Sequence, residues 1–193
     1  MSQTVVTMGW DILDRMERAV VKVRERLLRA TKALNGAGIP YAVVGGHAVA
    51  SWVATIDEGA VRNTRDVELL VRREDYSVIT TALKRAGFVK EKALGLPIFG
   101  DKGDAMFRQA VCLIFVGDKT HPNPEITTIT DASGLPIIAL NSLLVMLLVA
   151  DRNEDAMYLR DLIDVGLIDQ SWIARLPAEL GERLQHILDT PCG

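Results

Sequence analysis

The chain has 193 residues, 49% of them hydrophobic and 24% charged, and a net charge of −3. These values predict one folded domain, or one domain with a small helical addition, and exclude a largely disordered chain. The 22 basic and 25 acidic residues show no basic signature of a nucleic-acid-binding protein, although a neutral total leaves nucleic acid open as a partner.

Three features of the chain predict its compartment. The longest apolar run covers residues 143 to 150, well short of the about 20 residues that a helix needs to span a bilayer, so no membrane partner is predicted. The N-terminus does not resemble a signal peptide, because it has no basic start followed by an apolar core. Cys112 and Cys192 are too isolated to form a metal cluster or disulfide framework. We therefore expect a cytoplasmic protein.

A long amphipathic helix is predicted over residues 8 to 36. Apolar residues recur there at alternating steps of three and four, which is the spacing of a coiled-coil seam. The seam consists of Leu13, Met16, Val20, Val23, Leu27, Ala30 and Leu34. It packs either on the sheet of its own chain or on a second copy in a homodimer.

The middle of the chain alternates between strand and helix patterns. We predict a buried strand at 41–44, a helical turn after Gly45 and Gly46, a polar loop at 55–64 and a strand at 66–71. A helix at 74–86 follows. Six short segments then have strand character, namely FVKE, LPIFG, AMFRQ, VCLIFV, EITTIT and LPIIAL.

Helix patterns dominate from Asn141 onward. Asn141 and Ser142 are predicted caps of a helix that runs to about residue 151, and further helices are predicted at 155–164 and beyond 171. We thus expect an N-terminal helix at 1–38, an α/β core at 39–140 and a C-terminal helical segment at 141–193, packed as one compact unit.

Asp66 and Glu68 stand two residues apart in an otherwise apolar strand pattern. Side chains at i and i+2 share a face of a strand, so Thr64, Asp66 and Glu68 lie together if the strand begins near residue 64. Two neighbouring carboxylates repel unless a cation lies between them, and Mg²⁺ is commonly held by one or two carboxylates and phosphate oxygens. The alternative is a pair of solvated residues on an exposed strand.

Gly45 and Gly46 end the preceding strand and begin a helical turn. Without side chains there, a phosphate can approach the backbone N–H groups of the helix N-terminus. Arg62 is a further candidate phosphate ligand, with a merely solvated side chain as the alternative.

The stretches VVGGHAVA and RNTRDVELLV resemble the nucleotidyltransferase superfamily, whose fold is shared by DNA polymerase beta and antibiotic nucleotidyltransferases. The similarity is greatest to small bacterial members, including abortive-infection toxins of type IV toxin–antitoxin systems. It covers roughly residues 38 to 170, because Arg152 and Asp155 match the basic residue and Asp of the helical tail of such members.

The resemblance implies a mixed α/β (α+β) fold with helices flanking a mixed sheet, and transfer of a nucleoside monophosphate from ATP or GTP to an unknown acceptor. Asp66 and Glu68 would hold Mg²⁺, and Gly45 and Gly46 would meet the triphosphate. Thr64 would support Asp66. Arg152 would reach the triphosphate, or else pair with Glu154 or Asp155.

One position departs from the family pattern. Members usually carry a third carboxylate on a later strand, where this chain has Cys112, and a thiol is a poor ligand for Mg²⁺. Asp104 and Asp118 are possible substitutes. Two interpretations remain: an active transferase with an atypical third group, or a non-catalytic protein of the same fold that binds a nucleotide, an RNA or a protein.

Overall fold

The computed structural model describes residues 10–93, 96–103, 110–119 and 125–190. Six α-helices and seven strands lie in these ranges. In chain order they are α1 Trp10–Gly36, β1 Tyr41–Val44, α2 Gly45–Ala54, β2 Val67–Val71, α3 Tyr76–Arg85, β3 Phe88–Ala93, β4 Leu96–Asp101, β5 Val111–Phe115, β6 Thr128–Thr130, β7 Pro136–Ile138, α4 Leu140–Ala150, α5 Asn153–Asp164 and α6 Ala178–Asp189. Short 3₁₀ helices cover Glu58–Ala60 and Gln170–Arg175.

The strands form one mixed sheet in the order β3-β4-β5-β2-β1-β7-β6. At its centre, β2 runs antiparallel to β1 and parallel to β5. β1 in turn is parallel to β7. This architecture confirms the predicted mixed α/β fold, with helices on both sides of the sheet. The predicted strand AMFRQ lies outside the described residues.

Successive side chains of each strand point to opposite faces of the sheet, so the core has one layer on each side. Val67, Leu69 and Val71 pack with α1 and α3 on one side of the sheet. Ala42, Val44 and Leu70 pack with α2, α4 and parts of α5 and α6 on the other. The central strands are therefore covered on both faces, which explains why their sequences are nearly continuous apolar runs.

The two interpretations of the α1 seam apply to different halves of the helix. Ala30 and Leu34 are fully buried, and Val23 and Leu27 are 3% and 6% exposed. The earlier seam residues are exposed. The second half of α1 thus packs on its own sheet, as one interpretation predicted.

The structure corrects the predicted cap of α4. α4 begins at Leu140 after Ala139 and has no side-chain cap, so the prediction that Asn141 and Ser142 cap it was wrong. α4 ends at Ala150, and the next residue, Asp151, has the left-handed conformation with φ of 50°, which turns the chain toward α5. No helix in the described ranges combines the length and apolar character needed to cross a membrane.

Candidate active site

Glu68 lies at the centre of the sheet, on the face that α2 covers. Its neighbours in the strand register are Val44 of β1 and Cys112 of β5. Because Val67 and Leu69 point into the opposite layer, Glu68 projects on the same side as Leu70. Its side chain is only 16% exposed.

Asp66 precedes the strand that carries Glu68. β2 begins at Val67, one residue after the start predicted at Asp66, so Thr64 and Asp66 do not lie within the strand beside Glu68. Asp66 is more exposed than Glu68 and accepts a long hydrogen bond of 3.4 Å from the backbone N–H of Ala110. The two carboxylates still interact, since the charge of Asp66 contributes to the pKa of Glu68.

Both carboxyl groups are held in an environment that disfavours their charge. Burial, opposed by Arg152 and reinforced by neighbouring carboxylates, raises the pKa of Glu68 from 4.5 to about 7. Burial also raises the pKa of Asp66. A site of this kind is short of positive charge when both groups are ionised.

The Gly45 turn touches Glu68 directly. Gly45 has φ of +60°, and a Cβ placed on it would lie 1.5 Å from Oε2 of Glu68. Glycine is thus required here for both its conformation and its size. The N-terminus of α2, which no side chain of its N-cap residue Val44 caps, is thereby placed beside a carboxylate oxygen.

Gly46 is packed against two hydroxyl groups. A Cβ on Gly46 would lie 2.6 Å from Oγ1 of Thr64 and 2.6 Å from the hydroxyl of Tyr158. Thr64 and Tyr158 therefore both pack directly against the glycine turn. His47, the next residue, has a buried Nε2 that has no hydrogen-bond partner in the described part of the chain.

Arg152 brings positive charge to the carboxylates from the start of α5. Its guanidinium lies 3.7 Å from Oε1 of Glu68 and 3.0 Å from Oε1 of Glu154. It also donates from Nε to Asp155, at 2.8 Å, while the Asp155 carboxylate accepts from the Arg152 backbone N–H. The alternative ion pairs predicted for Arg152 thus form, and the same guanidinium reaches Glu68.

The guanidinium of Arg62, a candidate phosphate ligand, is bound by a carboxylate of α5. Its Nε and Nη2 donate to the two oxygens of Asp161 at 3.0 and 2.7 Å. Asp161 is 9% exposed, whereas the Arg62 side chain is 55% exposed. The outer part of the guanidinium therefore stays accessible to solvent.

Cys112 occupies the position where a third carboxylate was sought. It faces Glu68 across the β2–β5 pair, and burial together with the charges of Glu68 and Asp66 raises the pKa of its thiol to about 12. Asp118 cannot replace it. Glu68 and Cys112 lie near the N-terminal ends of the parallel strands β2 and β5, whereas Asp118 pairs with Arg73 beyond their C-terminal ends. A strand of five residues spans roughly 17 Å between its two ends. Asp104 lies outside the described residues.

The donor set fits a single magnesium ion. Asp66 and Glu68 supply hard oxygen ligands beside a helix N-terminus that can hold phosphate, and such ions need only one or two carboxylates when phosphates and water complete the shell. No cluster of three or more His, Cys, Asp or Glu side chains placed to hold a metal occurs within the described ranges.

One face of α5 supports the site, and of its contacts sequence reasoning predicted only the pair of Arg152 with Asp155. Asp155 holds Arg152, Tyr158 contacts Gly46, and Asp161 holds Arg62. The three α5 residues recur at steps of three, so they share a face of the helix. That spacing was visible in the sequence, but nothing indicated that Tyr158 contacts Gly46 or that Asp161 holds Arg62.

Two solved structures resemble this fold over most of their length. The antibiotic-resistance factor ANT(2'')-Ia superposes with a TM-score of 0.55 at 11% identity, covering 89% of this chain and 93% of that one. An antigenic nucleotidyltransferase-like protein from Paracoccidioides brasiliensis gives a TM-score of 0.50 at 17% identity, covering 90% and 87%. No family model and no curated protein sequence matches the chain. The likenesses show a nucleotidyltransferase fold.

Proposed function

We propose that this protein binds a magnesium–nucleoside triphosphate at the Gly45–Gly46 turn and transfers its nucleoside monophosphate to an acceptor hydroxyl. ATP and GTP are the donors we expect. The observation that carries the proposal is the contact between the Gly45 turn and Glu68, where an added Cβ would meet Oε2 at 1.5 Å. It joins an anion-binding helix N-terminus to a metal-binding carboxylate, and magnesium triphosphate needs both.

Each residue has a distinct task in this reaction. The backbone N–H groups at the start of α2 bind triphosphate oxygens, and Asp66 and Glu68 hold the ion. Mg²⁺ held there would neutralise phosphate charge while the acceptor oxygen bonds to the α-phosphorus, the bond to pyrophosphate breaks and the proton of the acceptor hydroxyl passes to water. Arg152 orients Glu68 through their 3.7 Å contact. Tyr158 and Thr64 keep the glycine turn in place.

Calorimetry tests the binding half of the proposal. Mg²⁺–ATP and Mg²⁺–GTP are titrated into the wild type and into the double variant Asp66→Asn/Glu68→Gln. We expect binding that requires Mg²⁺ in the wild type and is lost in the variant. A wild type that stays folded but binds neither nucleotide would contradict the proposal.

Cys112 favours a second candidate function, namely binding without transfer. An acceptor hydroxyl must lose its proton during the reaction, and a thiol with a pKa of about 12 is protonated at neutral pH. A soft thiol also does not bind a second magnesium ion. The protein would then act through its nucleotide-bound state on an RNA or a protein partner.

Release of pyrophosphate separates the two candidates. Labelled ATP and GTP are incubated with a panel of hydroxyl acceptors and with the wild type, Cys112→Asp and the control Cys112→Ser. Transfer by the wild type supports catalysis. Tight nucleotide binding by all three proteins, with transfer by Cys112→Asp alone, supports the non-catalytic function. A role in resistance or in a toxin–antitoxin system stays a prediction until an acceptor is found.

A further inference from the structure

Glu154, in the first turn of α5, brings a further carboxylate close to Glu68. Its Oε1 lies 3.0 Å from Nη1 of Arg152, and the same nitrogen lies 3.7 Å from Oε1 of Glu68. The two carboxylate oxygens are therefore no more than about 6.7 Å apart. An acid thus reaches the site from α5, whereas the sequence pattern led us to seek one on β5.

The electrostatics of the site also place Glu154 near its centre. Burial is the largest cause of the raised pKa of Glu68, and among the carboxylates that add to it Glu154 has the largest effect. Burial likewise raises the pKa of Tyr158, and there the charge of Glu154 contributes more than that of Glu68. Because such effects weaken with distance, Glu154 lies close to both groups, on the side of the site where Tyr158 meets the glycine turn.

The acidic neighbours of Glu154 are not available to take a proton from an acceptor. Both oxygens of Asp155 accept hydrogen bonds from Arg152, and the Asp155 side chain is only 1% exposed. Burial raises the pKa of the Cys112 thiol to about 12, so this group is already protonated at neutral pH. The Glu154 side chain, by contrast, is 50% exposed, and its one ion pair within the described ranges is with Arg152. An acceptor that enters from solvent can therefore reach it.

We propose that Glu154 is the general base of the reaction, and this role rests on the proposed nucleotidyl transfer. The acceptor oxygen bonds to the α-phosphorus, the bond to pyrophosphate breaks, and the hydroxyl proton passes to the Glu154 carboxylate, which releases it to water. One nitrogen of Arg152 contacts both Glu154 and Glu68, and so fixes the base relative to a metal-binding carboxylate. The reaction then needs no acid at Cys112.

Transfer to two alcohols of different acidity tests this role. The wild type and Glu154→Gln are incubated with Mg²⁺, ATP or GTP labelled at the α-phosphate, and either ethanol or the more acidic trifluoroethanol. Gln keeps the size of Glu and still accepts a hydrogen bond from Arg152, but it does not take up a proton. We expect Glu154→Gln to lower the rate of transfer to ethanol about 100-fold or more, the usual contribution of a general base.

The loss with trifluoroethanol should be clearly smaller than the loss with ethanol. Its hydroxyl gives up a proton more readily, so its transfer depends less on a base. A residue that only kept Arg152 in place would affect both alcohols equally. Calorimetry supplies a measurement that does not depend on turnover: the Kd for Mg²⁺–ATP should stay within about threefold of the wild type in Glu154→Gln.

Glu179→Gln is the matched control. Glu179 lies in the first turn of α6 and pairs with Arg183 at 3.1 Å, so it repeats the arrangement of Glu154 and Arg152 on another helix. This variant loses the same charge and the same kind of ion pair. It should transfer to both alcohols at the rate of the wild type.

The possible results separate this role from the proposed function. An equal loss with both alcohols, or no loss with either, would overturn the assignment of Glu154 as the base. A wild type that binds Mg²⁺–ATP but transfers to neither alcohol would also overturn it, while nucleotide binding would stand. A folded wild type that binds no nucleotide would contradict the proposed function itself, and the role of Glu154 with it.

Discussion

Glu68 is the residue at which burial and charge oppose each other most directly. Its carboxyl group has a pKa of about 7 in the folded chain, against an ordinary value of 4.5, because burial outweighs the attraction of Arg152. Between these two pH values the folded protein binds more protons than the unfolded chain. Its stability therefore falls as pH rises through this range.

Replacing Glu68 by Gln should remove this pH dependence. Without metal, the wild type is expected to lose on the order of 1–3 kcal/mol of unfolding free energy from this group between about pH 5 and pH 8. Urea unfolding of the wild type and Glu68→Gln in a chelator measures the difference. Glu58→Gln, at an exposed position, is the control. Parallel pH profiles for the wild type and Glu68→Gln would contradict the assignment.

Gly45 allows a second prediction at the level of one residue. Gly45 and Gly38 have φ of +60° and +65°, but only a Cβ at Gly45 would meet Glu68, while one at Gly38 would meet nothing within 4 Å. Both Ala variants lose about 1 kcal/mol from the left-handed backbone. Gly45→Ala should lose roughly 1–3 kcal/mol more, because Glu68 must move.

Nucleotide binding should also differ between Gly45→Ala and Gly38→Ala. Gly45→Ala should abolish Mg²⁺–ATP binding in calorimetry, since it displaces a carboxylate and closes the approach to the α2 N-terminus. Gly38→Ala should bind as the wild type does. Equal affinities for both variants would show that the turn is not part of a nucleotide site.

At the scale of elements, α5 determines the geometry of the site. It holds Arg152, Gly46 and Arg62 through Asp155, Tyr158 and Asp161, although it begins more than 80 residues after β2 ends. The C-terminal helices are therefore expected to matter for binding even where they contribute no phosphate ligand.

Variants of Arg62 and Asp161 distinguish a structural role of this ion pair from a role in phosphate binding. The pair joins a half-exposed side chain to a buried one, so Asp161→Asn and Arg62→Ala should each lose about 1 kcal/mol of unfolding free energy. If the outer nitrogens of Arg62 bind phosphate, only Arg62→Ala lowers affinity for Mg²⁺–ATP, by about tenfold. Unchanged affinity in both variants would leave Arg62 with a structural role alone.

The whole molecule shows what the sequence could predict and what it could not. The strand pattern predicted Asp66, Glu68 and the glycine turn because they depend on local periodicity, which a sequence displays. β2 begins at Val67, one residue later than predicted, because Asp66 lies before the first residue that pairs with β5. The contacts of Tyr158 with Gly46 and of Arg152 with Glu68 depend on how distant helices pack on the sheet, which periodicity does not specify.

Because the site joins β1, β2 and α5, nucleotide binding should stabilise the entire chain. A ligand present at about 100 times its dissociation constant adds about 2.7 kcal/mol to the folded state. For a chain of this length, 1 kcal/mol corresponds to about 2–4 °C, so Mg²⁺–ATP should raise the Tm by roughly 5–10 °C.

Scanning calorimetry measures this shift with three controls: ATP with a chelator, Mg²⁺ alone, and Asp66→Asn/Glu68→Gln with Mg²⁺–ATP. None of them should reproduce it, because the triphosphate and the ion bind only together and only to intact carboxylates. One transition that moves as a unit would mean that the C-terminal helices unfold together with the sheet. If one transition shifted while another stayed in place, α5 would not be coupled to the glycine turn, against the contact of Tyr158 with Gly46.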